Sequence, residues 1–237
     1  MKSRVLILLV LTILIFPSVY AHNCVVYFTG IGCPHCAKTD PFLFNEILKN
    51  NTDLVIIEYE IYQQPENSGL LLAYSEKYKI GTIGIPMLIF DDRYIVGDNP
   101  IIENLQSVLE SKKDSLCPLL DNLTAFEQIS DLPGKPKIWA GNRVLLKMSD
   151  KPLGYYGKIL FSDISKLNYT RVGAVPVQIS GNKIDFDYAV SLDGWILQWR
   201  GDEVKEGVNY FIEMQSYFVA GLGVLIIVVL LFYWFRK

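Results

Sequence analysis

Cys33 and Cys36, placed three apart directly after Gly32 and the apolar run Val25-Val26-Tyr27-Phe28, constrain the fold more than any other feature of this chain. A β-branched and aromatic run, a short glycine loop and two cysteines one turn apart predict a strand that leads straight into a helix. At that helix opening, unpaired backbone N–H groups stabilise a thiolate on Cys33. Two thiols so spaced close a small ring, so the pair reads as a dithiol/disulfide couple with the thiolate as attacking species. Pro34 suits a first helical turn, where its missing N–H has no partner to lose. His35 either adds positive charge or a hydrogen bond to the thiolate, or is simply solvated.

Three further pieces follow the cysteines. Pro41 stands five residues past Cys36, inside the predicted helix. Leu54 to Tyr59 reads as a strand and Glu66 to Tyr78 as a helix. Then Gly84-Ile85-Pro86-Met87-Leu88-Ile89-Phe90 opens a strand on a proline, Arg93 to Gly97 gives another, and Pro100 to Ser111 an amphipathic helix. With these in place, residues His22 to Lys113 resemble the thioredoxin-fold family. The resemblance implies an α/β thioredoxin-like domain, a helix kink at Pro41 and a cis Ile85-Pro86 bond beside the cysteines. It further implies Cys33 as exposed nucleophile and Cys36 as resolving thiol, with Pro34 and His35 between them. The backbone of Ile85 would pair with an extended client segment. No organic cofactor is implied.

The family's buried carboxylate, six residues before the first cysteine, is absent, because Tyr27 stands there. Glu58 and Glu60 on the next strand are the candidate replacements; alternation puts both on one face. The Cys-Pro-His-Cys tetrad looks like that of the oxidising DsbA-type members rather than the reducing ones, which favours an oxidant. Cys24, at the start of the first strand, lies roughly 17 to 20 Å from the end that leads to Cys33. In the topology that the resemblance implies, Cys117 arrives near Cys24, and a structural disulfide between them is one expectation. Two buried small apolar residues or free thiols are the other.

The chain ends predict where the chemistry takes place. Lys2 and Arg4, the apolar stretch Val5 to Phe16 and Val19-Tyr20-Ala21 read as a signal peptide cleaved after Ala21. Tyr217 to Phe235 is long and apolar enough to span a bilayer, and Arg236 and Lys237 place the tail on the cytoplasmic side. A single-pass membrane protein with its bulk outside the cytoplasm follows, where disulfides persist. The outer part carries 18 basic against 25 acidic residues, a net of −7, which argues against nucleic acid as a partner. Asn50, Asn122 and Asn168 head three Asn-x-Thr sequons.

The expected organisation is a signal peptide over 1–21, a thioredoxin-like domain over 22–113, a linker over 114–136, a small β-rich domain over 137–201, a stalk over 202–216, a transmembrane helix over 217–235 and a tail at 236–237. The β-rich region predicts strands at Val144 to Met148, Lys158 to Phe161, Ala174 to Ile179, Ile184 to Val190 and Trp195 to Trp199, with a tight turn at Ser180-Gly181-Asn182. Val175-Pro176 echoes Ile85-Pro86, but a second, degenerate thioredoxin fold is the poorer reading without a Cys-x-x-Cys or a last helix. Metal binding at Cys33 and Cys36 lacks two further ligands, since the chain has only His22 and His35 and its other cysteines lie apart. Covalent haem attachment needs a histidine after the second cysteine, where Ala37 stands.

The expected activity is thiol-disulfide exchange with cysteine-containing client proteins, oxidation favoured over reduction, supported by a membrane redox partner of unstated identity. The alternatives are a client-binding subunit of a membrane complex, in which capture matters more than turnover, and a reductant in metalloprotein or cytochrome maturation.

Overall fold

The computed structural model describes residues 23–111, 116–153, 160–161 and 168–201. Expectations for the signal peptide, stalk, transmembrane helix and tail lie outside the described residues. Among those described, no helix is long and apolar enough to cross a membrane.

The chain forms a mixed α/β structure around one large mixed sheet. Strands β1 (Asn23–Thr29) and β2 (Leu54–Glu60) pair in parallel, Tyr27 opposite Glu58. Both are buried along their whole length, as parallel strands covered on both faces must be. Outward from β1 lie β3 (Met87–Phe90) and β4 (Arg93–Val96), both antiparallel. The helices are α1 (Cys36–Pro41), α2 (Leu48–Asn50), α3 (Ser68–Lys77) and α4 (Asp98–Ser111). Between α1 and α2 the chain stays helical but widens to a π-helix over Phe42–Ile47. Pro41 sits inside α1 and donates no backbone N–H, so the α-ladder loses a bond where the wider helix begins.

On the other side of β2 the sheet continues through strands from the C-terminal half. These are β7 (Lys137–Ala140), β8 (Arg143–Lys147), β13 (Trp195–Trp199), β12 (Tyr188–Leu192) and β9 (Thr170–Val172), giving the order β4-β3-β1-β2-β7-β8-β13-β12-β9. The regions expected as two units thus share a nine-stranded sheet, joined where β7 runs antiparallel to β2. The segment expected as a linker is packed rather than extended. It carries the short ladder β5 (Cys117–Pro118) with β6 (Leu123–Thr124), a 3₁₀ turn at Phe126–Gln128, and buried Phe126, Ile129 and Leu132.

The single strand expected over Ile184 to Val190 is two strands. β11 (Asn182–Ile184) pairs with β10 (Val177–Ile179) as a separate hairpin, whereas β12 joins the large sheet. Alternation runs unbroken through both, so the sequence pattern does not show that they belong to different ladders. The strand expected over Lys158 to Phe161 falls mostly outside the described residues, and Leu160 and Phe161 are not in a strand.

Two cores cover the two faces of the sheet. One packs Leu43, Phe44, Ile47 and Leu48 of the first helical run, with Ile101 and Leu105 of α4, on Val25, Tyr27, Leu54 and Ile56. Trp139 and the hairpin residues Val177, Ile179 and Ile184 complete it, the Trp139 indole stacking on Phe44 at 4.4 Å between ring centres. The other face holds Val26, Phe28, Val55, Ile57 and Tyr59 against Leu71 and Tyr74 of α3. Here Cys24 and Cys117 form a disulfide. Asn50, Asn122 and Asn168 are all exposed.

Candidate functional site

Strand β1 delivers the chain into a loop whose two glycines have different duties. A Cβ on Gly30 would lie 2.7 Å from Ile85 Cδ1 and 2.9 Å from the Tyr62 ring, so the missing side chain lets both approach. Gly32 adopts φ +96°, a left-handed value natural to glycine, and turns the chain into the helix. The Cys33 N–H then donates to the Gly30 carbonyl at 3.0 Å.

Both cysteines are free thiols, and Cys33, expected to be exposed, is itself buried at 5% exposure beneath the loop and hairpin around it, with Cys36 fully enclosed. The backbone N–H of Cys36 donates to Cys33 Sγ at 3.3 Å, an interaction that strengthens when the sulfur carries charge. Burial first, and then a hydrogen bond with Cys33, push the Cys36 thiol well above the usual range. Pro34 and His35 are exposed. His35 Nδ1 lies 3.0 Å from Asp98 Oδ1, and Lys38 Nζ 2.7 Å from Asp98 Oδ2. Lys38 is the main reason that the Asp98 carboxyl is held down at about 2. An ionised carboxylate only accepts, so Nδ1 of His35 is the protonated nitrogen and the ring is fixed to the start of α4.

The Ile85-Pro86 bond is cis. Pairing of Phe28 with Met87 brings Ile85 and Pro86 alongside the Thr29-Gly30 end of β1, and so beside the loop to Cys33. Tyr62 and Ile83, 57% and 49% exposed, give this rim an apolar surface.

The hydrogen bonds of Glu58 and Glu60 go elsewhere than to the thiols. Buried Glu58 accepts from Lys137 Nζ and Trp139 Nε1, each at 2.6 Å. Glu60 accepts four backbone N–H groups, from Ile31, Tyr62, Gln63 and Gln64, and ties together the loops after β1 and β2.

The carboxylate connected to the cysteines is Asp40, which sequence reasoning missed. It is fully buried on the Cys36 face of α1, four residues along. Oδ1 accepts from the Tyr27 hydroxyl at 2.7 Å and the Thr29 hydroxyl at 2.9 Å, and Oδ2 from the Ser180 N–H at 2.7 Å. Thr29 is in turn hydrogen-bonded to Cys36. Burial, then the nearby Glu58 charge, raise the Asp40 carboxyl to about 7 against the pull of those three donors. Burial, with Asp40 beside it, holds Tyr27 well above its usual range, so its hydroxyl stays a donor. The available signal was an aspartate one turn past Cys36 on the apolar face of the helix.

Cys24 and Cys117 lie apart from this cluster in their disulfide. Among the described residues no three His, Cys, Asp or Glu side chains are grouped to hold a metal ion. Comparison of the chain with protein-family models, curated proteins and solved structures gives no match.

Proposed function

We propose that this protein is a membrane-tethered, extracytoplasmic thiol-disulfide oxidoreductase with a thioredoxin-like arrangement around Cys33 and Cys36. One observation carries the reading: two buried free thiols, Cys33 5% exposed and Cys36 fully enclosed, meet at the opening of α1, and the enclosed one is linked through Thr29 to a carboxyl poised near neutrality. The tether and the location rest on the apolar runs at the two chain ends and the basic residues beside them.

In the oxidising direction a client thiolate attacks Cys33 Sγ of the Cys33-Cys36 disulfide. The S–S bond breaks and Cys36 leaves with the electron pair. Its sulfur takes a proton through Thr29, whose hydroxyl proton is replaced from protonated Asp40. A second client thiolate then attacks the client sulfur of the mixed disulfide and releases Cys33 as thiolate. Two electrons pass from client to protein, and a membrane redox partner must remove them. In the reducing direction each step reverses and Asp40 accepts the Cys36 proton.

The deciding experiment measures the Cys33-Cys36 reduction potential in glutathione buffers together with turnover on a reduced, unfolded protein. A high potential with fast oxidation supports the oxidant, and a low potential with fast reduction of a disulfide client reverses the direction. Negligible turnover with stable mixed disulfides indicates a client-binding subunit. Failure to form a Cys33-Cys36 disulfide at all removes the reading.

A pH dependence follows from Asp40. Between the ordinary aspartate value of about 3.9 and its folded value of about 7, the folded protein keeps a proton that the unfolded chain has released. Stability therefore falls as pH rises through that window. Resolution of the mixed disulfide by Cys36 should quicken as pH passes about 7, where Asp40 becomes able to accept the Cys36 proton. Asp40→Asn should remove that inflection and slow resolution by about 10²-fold. Stopped-flow exchange from pH 5 to 9 checks this, and an unchanged inflection in the variant rules Asp40 out.

A further inference from the structure

The β10–β11 hairpin enters the site from the far part of the chain. Its two-residue turn, Ser180-Gly181, rests on α1. Ser180 is fully buried, with both of its donors engaged. Its N–H donates to Asp40 Oδ2 at 2.7 Å across 140 residues of sequence, and its hydroxyl donates to the Cys33 carbonyl at 3.0 Å. That carbonyl also accepts the Ala37 N–H at 3.0 Å, so the hairpin holds a backbone group of the first helical turn itself. The contact is close: a Cβ on Gly181 would lie 2.9 Å from Ala37 Cβ. Val177, Ile179 and Ile184 anchor the hairpin in the same core as Phe44 and Trp139.

We propose that Ser180 is a positioning residue for the dithiol site, and that the hairpin sets how readily Asp40 exchanges a proton with Cys36 by holding its carboxylate through the Ser180 N–H. The proposal rests on the reading of Cys33 and Cys36 as a redox pair. The groups facing Asp40 are Tyr27 and Thr29 from β1, Glu58 from β2 with Lys137 of β7 behind it, and Cys36 on its own helix. The hairpin adds neutral Ser180, whose N–H favours the ionised carboxylate. Withdrawing that donor shifts Asp40 toward its protonated form, leaving it a poorer acceptor for Cys36 at neutral pH.

The turn supplies a selective variant. Gly181 has φ +79° and Ser180 is not among the residues of positive φ, the type II pattern in which proline is favoured at the first central position. Ile179 is in a strand, as a residue before proline prefers. Ser180→Pro therefore removes both donors, whereas Ser180→Ala removes the hydroxyl alone.

The test uses the full-length reduced protein in detergent micelles, with ¹³C-labelled aspartate carboxyls and ¹⁵N-labelled serine followed by NMR against pH. In the unaltered protein the Ser180 amide signal should move with the Asp40 midpoint. In Ser180→Pro that midpoint should rise by about one pH unit, and the inflection in the exchange profile should rise with it. Ser180→Ala should leave the midpoint in place. A Ser180 amide that ignores the Asp40 titration overturns the assignment without any variant, as does an unmoved midpoint in folded Ser180→Pro. A coupled titration in a protein that exchanges no disulfides overturns the redox reading instead.

Discussion

Replacing Cys33 by serine should abolish disulfide exchange, a loss on the order of 10³-fold or more, while Cys36→Ser should accumulate mixed disulfides with clients. The asymmetry comes from burial and hydrogen bonding. Cys33 keeps some exposure and receives the Cys36 N–H on its sulfur, so it is the atom that a client can reach and the one placed to carry charge. Cys36 is fully enclosed, and its thiol is held protonated by that enclosure. Without Cys36 the intermediate on Cys33 has no internal thiol to resolve it. Acid quenching, alkylation and non-reducing gels read the trapped species directly. Trapping by Cys33→Ser and none by Cys36→Ser would reverse the two roles.

Removing the Cys24–Cys117 bridge should lower stability by about 2–4 kcal/mol and leave the dithiol chemistry intact. The bridge closes a loop of 93 residues that contains most of β1, β2, the β3–β4 hairpin and the four α-helices of the described residues. Cutting it returns a large conformational freedom to the unfolded chain. Both cysteines are fully buried on the sheet face opposite α1, so Cys24→Ala with Cys117→Ala also thins the core there. Denaturant melts of the double variant, with exchange rates measured beside them, separate the two effects. A loss under about 0.5 kcal/mol would show that packing alone holds this face, and lost exchange in a folded variant would tie the bridge to the site.

The elements visible in the sequence are those whose pattern is local. β1 and β2 are continuous apolar runs, the β3–β4 pair is two short apolar runs around a turn, and α4 carries an apolar stripe, signals read from a handful of residues, and all lie close to the expected positions. β7 was hidden because Lys137–Ala140 is short and follows Leu132-Pro133-Gly134-Lys135-Pro136, which reads as a turn. Its identity as a strand comes from pairing with β2, some eighty residues earlier. The same limit merged β11 and β12 into one strand: alternation reports which face a residue occupies and not which ladder it joins.

Cys33 and Cys36 were legible because thiol chemistry needs its two sulfurs one turn apart, a spacing that lies in the chain itself. The groups around them obey no such rule. Tyr27 and Thr29 reach Asp40 because β1 runs beneath α1, and Ser180 reaches it because a distant hairpin packs on the same face. By itself the sequence determined the spacing of the two thiols and the strand–helix junction that carries them. Tertiary structure alone decided which carboxylate lies beside that pair, since burying a charge requires donors to gather around it, and these came from two separate elements, β1 and the β10–β11 turn.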